Sequence, residues 1–380
     1  MVAVTEDEAA AWPQHARDAR NSRCVPRRWP GYRRQPTLAF ELPGALSAPV
    51  VAGAAVVYTR DASVSLGGEY RHVIELAAHE LTTGRLRWEE ALYPPSSGSD
   101  SYSPAVAGDV VCVAISGLLA GFDLRSGEQR WELTSSPSGV LDDEGPCADA
   151  PTVVGSTLYV RGGGKFHAVD ARTGRIRWSR RPDRSGDASV VPGSPVVDGT
   201  AVVGCDDGIV VALDAGTGKH RWPAVTSPKL ELAPCASGDL VVVASDDRVY
   251  GLDLATGERR WRHRIGEPIL GGLACTDRAV VVAARTTATV LSAEDGRPRW
   301  TSRLSGSLHA PSVAGDVVVV PTEDPHQVHG IGLDDGERCW TVRLGSRTSD
   351  PVLRPEAVVV GDRLLVTGGG RVTVLAFGDG

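Results

Sequence analysis

One eleven-residue phrase returns seven times in this chain, and that recurrence limits the fold more than any other feature. "ALDAGTGKHRW" ends at Trp222, and the close copies "AVDARTGRIRW", "GFDLRSGEQRW" and "GLDLATGERRW" end at Trp178, Trp131 and Trp261. Looser copies end at Trp88 ("AHELTTGRLRW"), Trp300 ("VLSAEDGRPRW") and Trp340 ("GIGLDDGERCW"). Successive tryptophans stand 43, 47, 44, 39, 39 and 40 residues apart. A catalytic motif has no reason to recur in phase, whereas a structural unit that packs on copies of itself must.

Each copy has the same upstream order. A small residue and a proline open an apolar run, as at Pro104, Pro151, Pro195, Pro234 and Pro311. A turn such as "AGD" or "DGT" follows, then a Val-rich run, a second turn, and an alternating run that ends in the phrase. This reads as four short strands per unit. Four strands at a period near 40 is the arithmetic of a β-propeller blade. Within the phrase, Gly218 takes the positive φ of the hairpin between third and fourth strands. Asp214 accepts from the turn's N–H groups. Trp222 then sits on the outermost strand and covers the gap between flaring blades, worth about 2–3 kcal/mol per ring.

The pattern A-x-D-x-x-T-G-x-x-x-W resembles the tryptophan-docking motif of the PQQ-like propellers. That family includes quinoprotein alcohol dehydrogenases, a lipoprotein of the outer-membrane assembly machine and sensor domains of some bacterial Ser/Thr kinases. Ala168, Asp170, Thr173, Gly174 and Trp178 match in full, as do Ala212, Asp214, Thr217, Gly218 and Trp222. Two copies depart: Ser292 and Gly332 replace the Asp, and Asp295 and Asp335 replace the Thr. The N-terminal "WPQHARDARNSR" is also similar to the opening of these proteins.

Seven signatures close seven blades. Residues 346–377 add three strands without a fourth, and "PTLAFEL" at 36–42 is a lone strand with Phe40 at the Trp position. The fold class expected is therefore all-β: an eight-bladed propeller of four-stranded antiparallel blades, closed where residues 36–42 complete the C-terminal blade. A seven-bladed ring with a loose tail is the alternative. Residues 36–380 form the propeller, and residues 1–35 form an extension. That extension holds seven arginines between residues 17 and 34 and reads as a strap over an acidic ring, with an anion-binding arm as the competing reading.

Composition narrows the function classes. A net charge of −7 argues against nucleic acid as a partner, since phosphate binding needs a basic face. The start of the chain does not read as a secretory signal, and no run of about 18 apolar residues suggests a membrane span. Cys112, Cys205 and Cys275 lie in apolar runs and read as reduced, buried thiols, which suits a cytoplasmic protein. Cys235 and Cys275 occupy matching places in adjacent inner strands and could pair on a metal, but the simpler reading is small residues fitting a crowded axis.

Loop length points to one face. The connections 89–103, 132–150 and 179–194 are longer than their later counterparts, and the second-to-third-strand loops 59–73 and 321–328 are long as well. All lie on the face opposite the signature turns, where binding is expected. Ser47, Tyr102, Asp149, His309 and Asp350 should ring the channel mouth there. His309, Asp149 and Tyr102 are candidates for acid–base work, against the plainer reading that propeller mouths are polar and wet.

Three functions compete. The first is a non-enzymatic, monomeric binding scaffold for a protein or small-molecule ligand. The second is a lyase, hydrolase or isomerase with a pocket near His309. The third, implied by the resemblance, is a PQQ-dependent dehydrogenase. It is disfavoured because such enzymes use adjacent cysteines, a calcium site and a stacked Trp. Here no two cysteines are adjacent, and docking leaves only Trp12 and Trp29. No cofactor or metal is therefore expected.

Overall fold

The Val-rich runs form the largely buried second strands of eight sheets in the computed structural model. The structure describes residues 22–25, 30–66, 69–93, 103–115, 117–134, 150–162, 164–182, 193–225, 232–344 and 355–378, with Gln14, Asp18, Arg20 and Leu230 singly. Blades 1 to 7 are numbered by their signature tryptophans, from Trp88 to Trp340, and blade 8 is the closing one. Blade 5 shows the common plan: Cys235–Ser237, Leu240–Ser245, Arg248–Asp253 and Arg259–Arg264, paired in chain order.

Every side chain of Leu240–Ser245 is buried because its sheet has a neighbour on each face. Leu240, Val242 and Ala244 pack with Val280, Val282 and Ala284 of blade 6. The alternate residues Val241 and Val243 pack with Val202 and Val210 of blade 4. Strand pleating sends successive side chains to opposite faces, so a strand buried on both sides reads as an unbroken apolar run. The core is thus a series of inter-blade layers rather than one central mass.

The signature clamps these layers. In each blade the outer strand carries a bulge beside the Trp; in blade 4 the register shifts between Ala212, opposite Trp222, and Leu213. The indole N–H then crosses to the next blade. Trp178 Nε1 donates to Ala215 O at 2.9 Å, Trp222 to Leu254 O at 3.0 Å and Trp261 to Ala293 O at 2.9 Å. The ring lies on the glycine of that neighbouring turn. A Cβ on Gly218, whose φ is +69°, would stand 2.7 Å from the Trp178 ring. Asp214 Oδ1 accepts from the Thr217 N–H and hydroxyl at 2.9 and 2.8 Å. Its Oδ2 accepts from Arg221 at 2.7 Å, and these bonds, Arg221 foremost, hold its carboxyl down to about 2.

The ring closes as the lone strand predicts. Thr37–Pro43 pairs antiparallel with Arg371–Ala376, completing the sheet of Ala357–Val360 and Arg363–Gly368. A Cβ on Gly84 would meet the Phe40 ring at 2.8 Å, so Phe40 fills the docking role in blade 8. One acceptor is supplied from elsewhere. Blade 8 has no covalent turn between its third and fourth strands, and Trp340 Nε1 instead donates to Tyr32 O in the short 3₁₀ turn Pro30–Arg33, at 2.6 Å. Arg33 binds Asp316 at 2.9 Å and Asp335 at 3.2 Å, taking the part that the arginine before Trp plays elsewhere.

Two sequence expectations need correction. Cys235 and Cys275 form a disulfide, with Cα atoms 6.4 Å apart, so neither is a reduced thiol or half of a metal pair. They are not in matching places: Cys235 faces Val242 and Cys275 faces Val280, one residue out of step. That offset is what lets them meet, because adjacent blades present opposite faces to each other. Cys112 is a buried free thiol, as read, and Cys205 is buried too. The second correction concerns loops. Segment 59–73 is not a loop but the outer half of a hairpin, Ala55–Leu66 with Glu69–Glu80, paired down to Leu66↔Glu69. Segment 321–328 is likewise mostly strand, Val317–Glu323 and Gln327–Gly332, joined through Asp324, Pro325 and His326.

Candidate functional site

The face opposite the signature turns is built differently in each of its parts. In blade 1 the hairpin outruns its neighbours: the outer strand Leu86–Leu92 stops at the pair Ile74↔Leu92. Among the described residues, nothing pairs with the outer edges of 61–66 and 69–73. Arg60 pins the base, reaching Glu75 at 2.8 Å and also Glu89 on the outer strand. Tyr93, the residue after Leu92, is 76% exposed, the most of any large apolar side chain described.

The described residues of the N-terminal segment run along the inner strands of the ring. Arg20 O accepts from Ala236 N, Ser22 O from Cys275 N and Arg23 O from Val313 N, each at 2.8 Å. Cys24–Val25 adds a short parallel strand to Ser312–Ala314 of blade 7. Gln14 reaches the Val153 N–H of blade 3. Arg23 is buried and bonds Glu356 of blade 8 at 3.3 Å. The strap meets acids of the ring through Arg23 to Glu356 and Arg33 to Asp316 and Asp335, but its described backbone contacts are to the inner strands. It threads past the inner strands and uses the N–H groups that an edge strand otherwise leaves open.

Of the sequence candidates, Ser47 is buried, and its Oγ accepts from Thr59 N at 3.1 Å, a structural role inside blade 1. His309 lies in blade 7 with Nε2 3.3 Å from Glu323 Oε2, and its N–H donates to Pro321 O at 3.0 Å. No hydrogen bond or ion pair among the described residues joins Ser47 to His309. Tyr102, Asp149 and Asp350 lie outside the described residues, as do most of the connections 89–103, 132–150 and 179–194. Sequence reasoning missed three residues here. Glu323 sits in the segment read as loop, Glu356 follows a proline at 355 rather than 351, and His326 packs on Gly368 where a Cβ would be 2.2 Å from its ring. The Gly-Gly-Gly run at 368–370 was the available signal for that close approach.

All seven signature tryptophans spend their indole N–H on the next structural unit, while Trp12 and Trp29 lie outside the described residues. Among the described residues, no three His, Cys, Asp or Glu side chains converge as a metal site.

A family model described as "Outer membrane protein assembly factor BamB" matches residues 35–144, 74–243 and 245–380. The chain belongs to this PQQ-like propeller family. A curated BamB of Burkholderia pseudomallei (strain K96243) is 33% identical over 157 residues, 39% of this chain and 39% of that one. The Streptomyces griseus serine/threonine-protein kinase AfsK is 31% identical over 134 residues, covering 34% of this chain and 16% of the kinase. The matched stretch thus spans well under half of either relative. Among solved structures, BamB from Moraxella catarrhalis superposes with a TM-score of 0.67 at 17% identity, over 90% of this chain and 98% of that one. Quinohemoprotein alcohol dehydrogenase from Comamonas testosteroni gives 0.72 at 15% identity, over 98% and 81%. At such identities the likeness is one of fold, and fold alone does not choose between an assembly factor and a dehydrogenase.

Proposed function

We propose that this chain is a non-enzymatic binding propeller that docks a protein partner on the face carrying segments 59–73, 89–103, 132–150, 179–194 and 321–328. The observation that carries this reading is the blade 1 hairpin, which extends past its outer strand with edges unpaired among the described residues, beside the exposed Tyr93. Open strand edges take up a partner's extended backbone, and tyrosine is enriched where proteins meet. The strap supports the same reading, because it runs along the inner strands of blades 5 to 7, where a small substrate in the channel would have to bind. A relative is named as a protein assembly factor, which fits a protein client. The scaffold works as a monomer and without a cofactor in this proposal.

Site-specific photo-crosslinking in the native cell tests it. A photoreactive residue at Tyr93 should capture a discrete protein, whereas one at Leu86, at the opposite end of the same strand, should not. Equal capture at both positions, or none at either, would contradict the proposal. The enzyme reading draws on the His309–Glu323 contact. His309→Ala should leave capture at Tyr93 unchanged if the scaffold reading holds. Cytoplasmic residence remains part of the proposal, although the Cys235–Cys275 bridge weighs against it. Alkylation at the moment of lysis decides: labelled thiols at both positions fit the cytoplasm, and protected ones place the protein in an oxidising compartment.

A further inference from the structure

Blade 1 breaks the repeat at two positions, and together they leave one arginine without a bonded carboxylate among the described residues. In blades 2 to 5 the residue before the signature Trp is an arginine held by its own blade. Arg130 binds Asp109 at 2.7 Å and also Asp123; Arg177 binds Asp170 at 2.6 Å and Ser156 at 3.3 Å. Arg221 binds Asp214 and Thr200, and Arg260 binds Asp253 and Asp239. One partner comes from the signature and the other from the turn between first and second strands. In blade 1 that turn offers Ala54, and the signature acid is Glu80. Glu80 is already engaged, accepting from Thr83 Oγ1 at 2.6 Å and pairing with Arg85 at 3.7 Å. Arg87 consequently forms no ion pair or hydrogen bond among the described residues.

Arg87 lines a cleft of about 430 Å³ on the signature face, between blades 1 and 2. Ala52, Ala55 and Leu124 supply apolar walls, and Arg125 lines the cleft as a second cation with no side-chain bond among the described residues. The two carboxylates on the wall, Asp109 and Asp123, are both held by Arg130. Arg87 and Arg125 therefore line the cleft with no bonded carboxylate among the described residues, and Glu80 meets Arg87 only through space. A guanidinium presents paired N–H donors that match a carboxylate. We infer that this cleft binds a small organic carboxylate with a short apolar stem, the carboxylate on Arg87 and Arg125 and the stem against Ala52, Ala55 and Leu124.

Calorimetric titration of the full chain with succinate, at low ionic strength, tests the inference. The exposed setting predicts millimolar affinity. Arg87→Ala should weaken binding by about fivefold or more, the loss of one charge-assisted pair. Ala54→Asp restores the turn acceptor used elsewhere in the ring and should weaken binding comparably with the fold intact, which separates the site from stability. No succinate binding to the unmodified chain, or unchanged binding in both variants, would overturn the assignment. Inorganic phosphate binding more tightly than succinate would overturn the organic class of ligand.

Discussion

Gly218 and Trp178 show how a repeat becomes a fold at the scale of single residues. The glycine holds φ at +69° and lies under the ring of the preceding blade, 2.7 Å from any added Cβ. Gly218→Ala should therefore cost about 2–3 kcal/mol, combining backbone strain with overpacking. Gly216→Ala, in the same turn but with only Asp214 Oδ1 near at 3.5 Å, should stay within about 0.5 kcal/mol. Urea unfolding of the two variants makes the comparison. A histidine gives the pH counterpart. His329 is buried, with Nδ1 2.9 Å from Thr341 Oγ1, and burial above all pushes its pKa down to about 4. The folded protein keeps this imidazole neutral while the unfolded chain protonates it near 6.5. Its contribution is fully present above pH 6.5 and is lost as pH falls toward 4. His329→Gln should flatten that part of the stability profile, measured by unfolding at pH 7 and pH 4.5. Both residues are in plain view in the sequence, but only the glycine announces its role. Its position is fixed by seven copies of one phrase, whereas the burial of His329 depends on blades that stack across the ring.

At the scale of strands and turns, the legible and the hidden divide along the repeat. Thr37–Pro43 was readable as the missing eighth outer strand because Phe40 stands where each blade has its Trp. The hairpin Ala55–Leu66 with Glu69–Glu80 was not, since a long polar connection and a long polar hairpin share composition and differ only in cross-strand pairing. The disulfide was hidden for a related reason. Matching positions in adjacent blades face successive inter-blade layers, so partners within one layer must be one residue out of step. The bridge spans 40 residues. Replacing both cysteines by alanine should lower stability by about 2–4 kcal/mol under oxidising conditions. The same pair of substitutions should change little in the presence of dithiothreitol, and parallel unfolding curves with and without reductant check both.

For the whole molecule, the N-terminal segment ties the ring together twice. It runs along the inner strands through Arg20–Val25, then turns at Tyr32 to accept from Trp340, and finally enters blade 8 as its outer strand. Removing residues 1–43 deletes a strand and should abolish cooperative unfolding, because it reopens the seam that closes the ring. Removing only residues 1–25 should leave eight blades with bare inner edges. The most direct test is amide hydrogen exchange at the residues that donate to the strap. In the full chain Ala236, Cys275, Val313 and Gly315 should exchange slowly; without residues 1–25 those four amides should exchange much faster, while strand amides such as Val242 and Val281 stay protected. Equal exchange at the four amides with and without the segment would contradict a strap that runs along the inner strands of the ring.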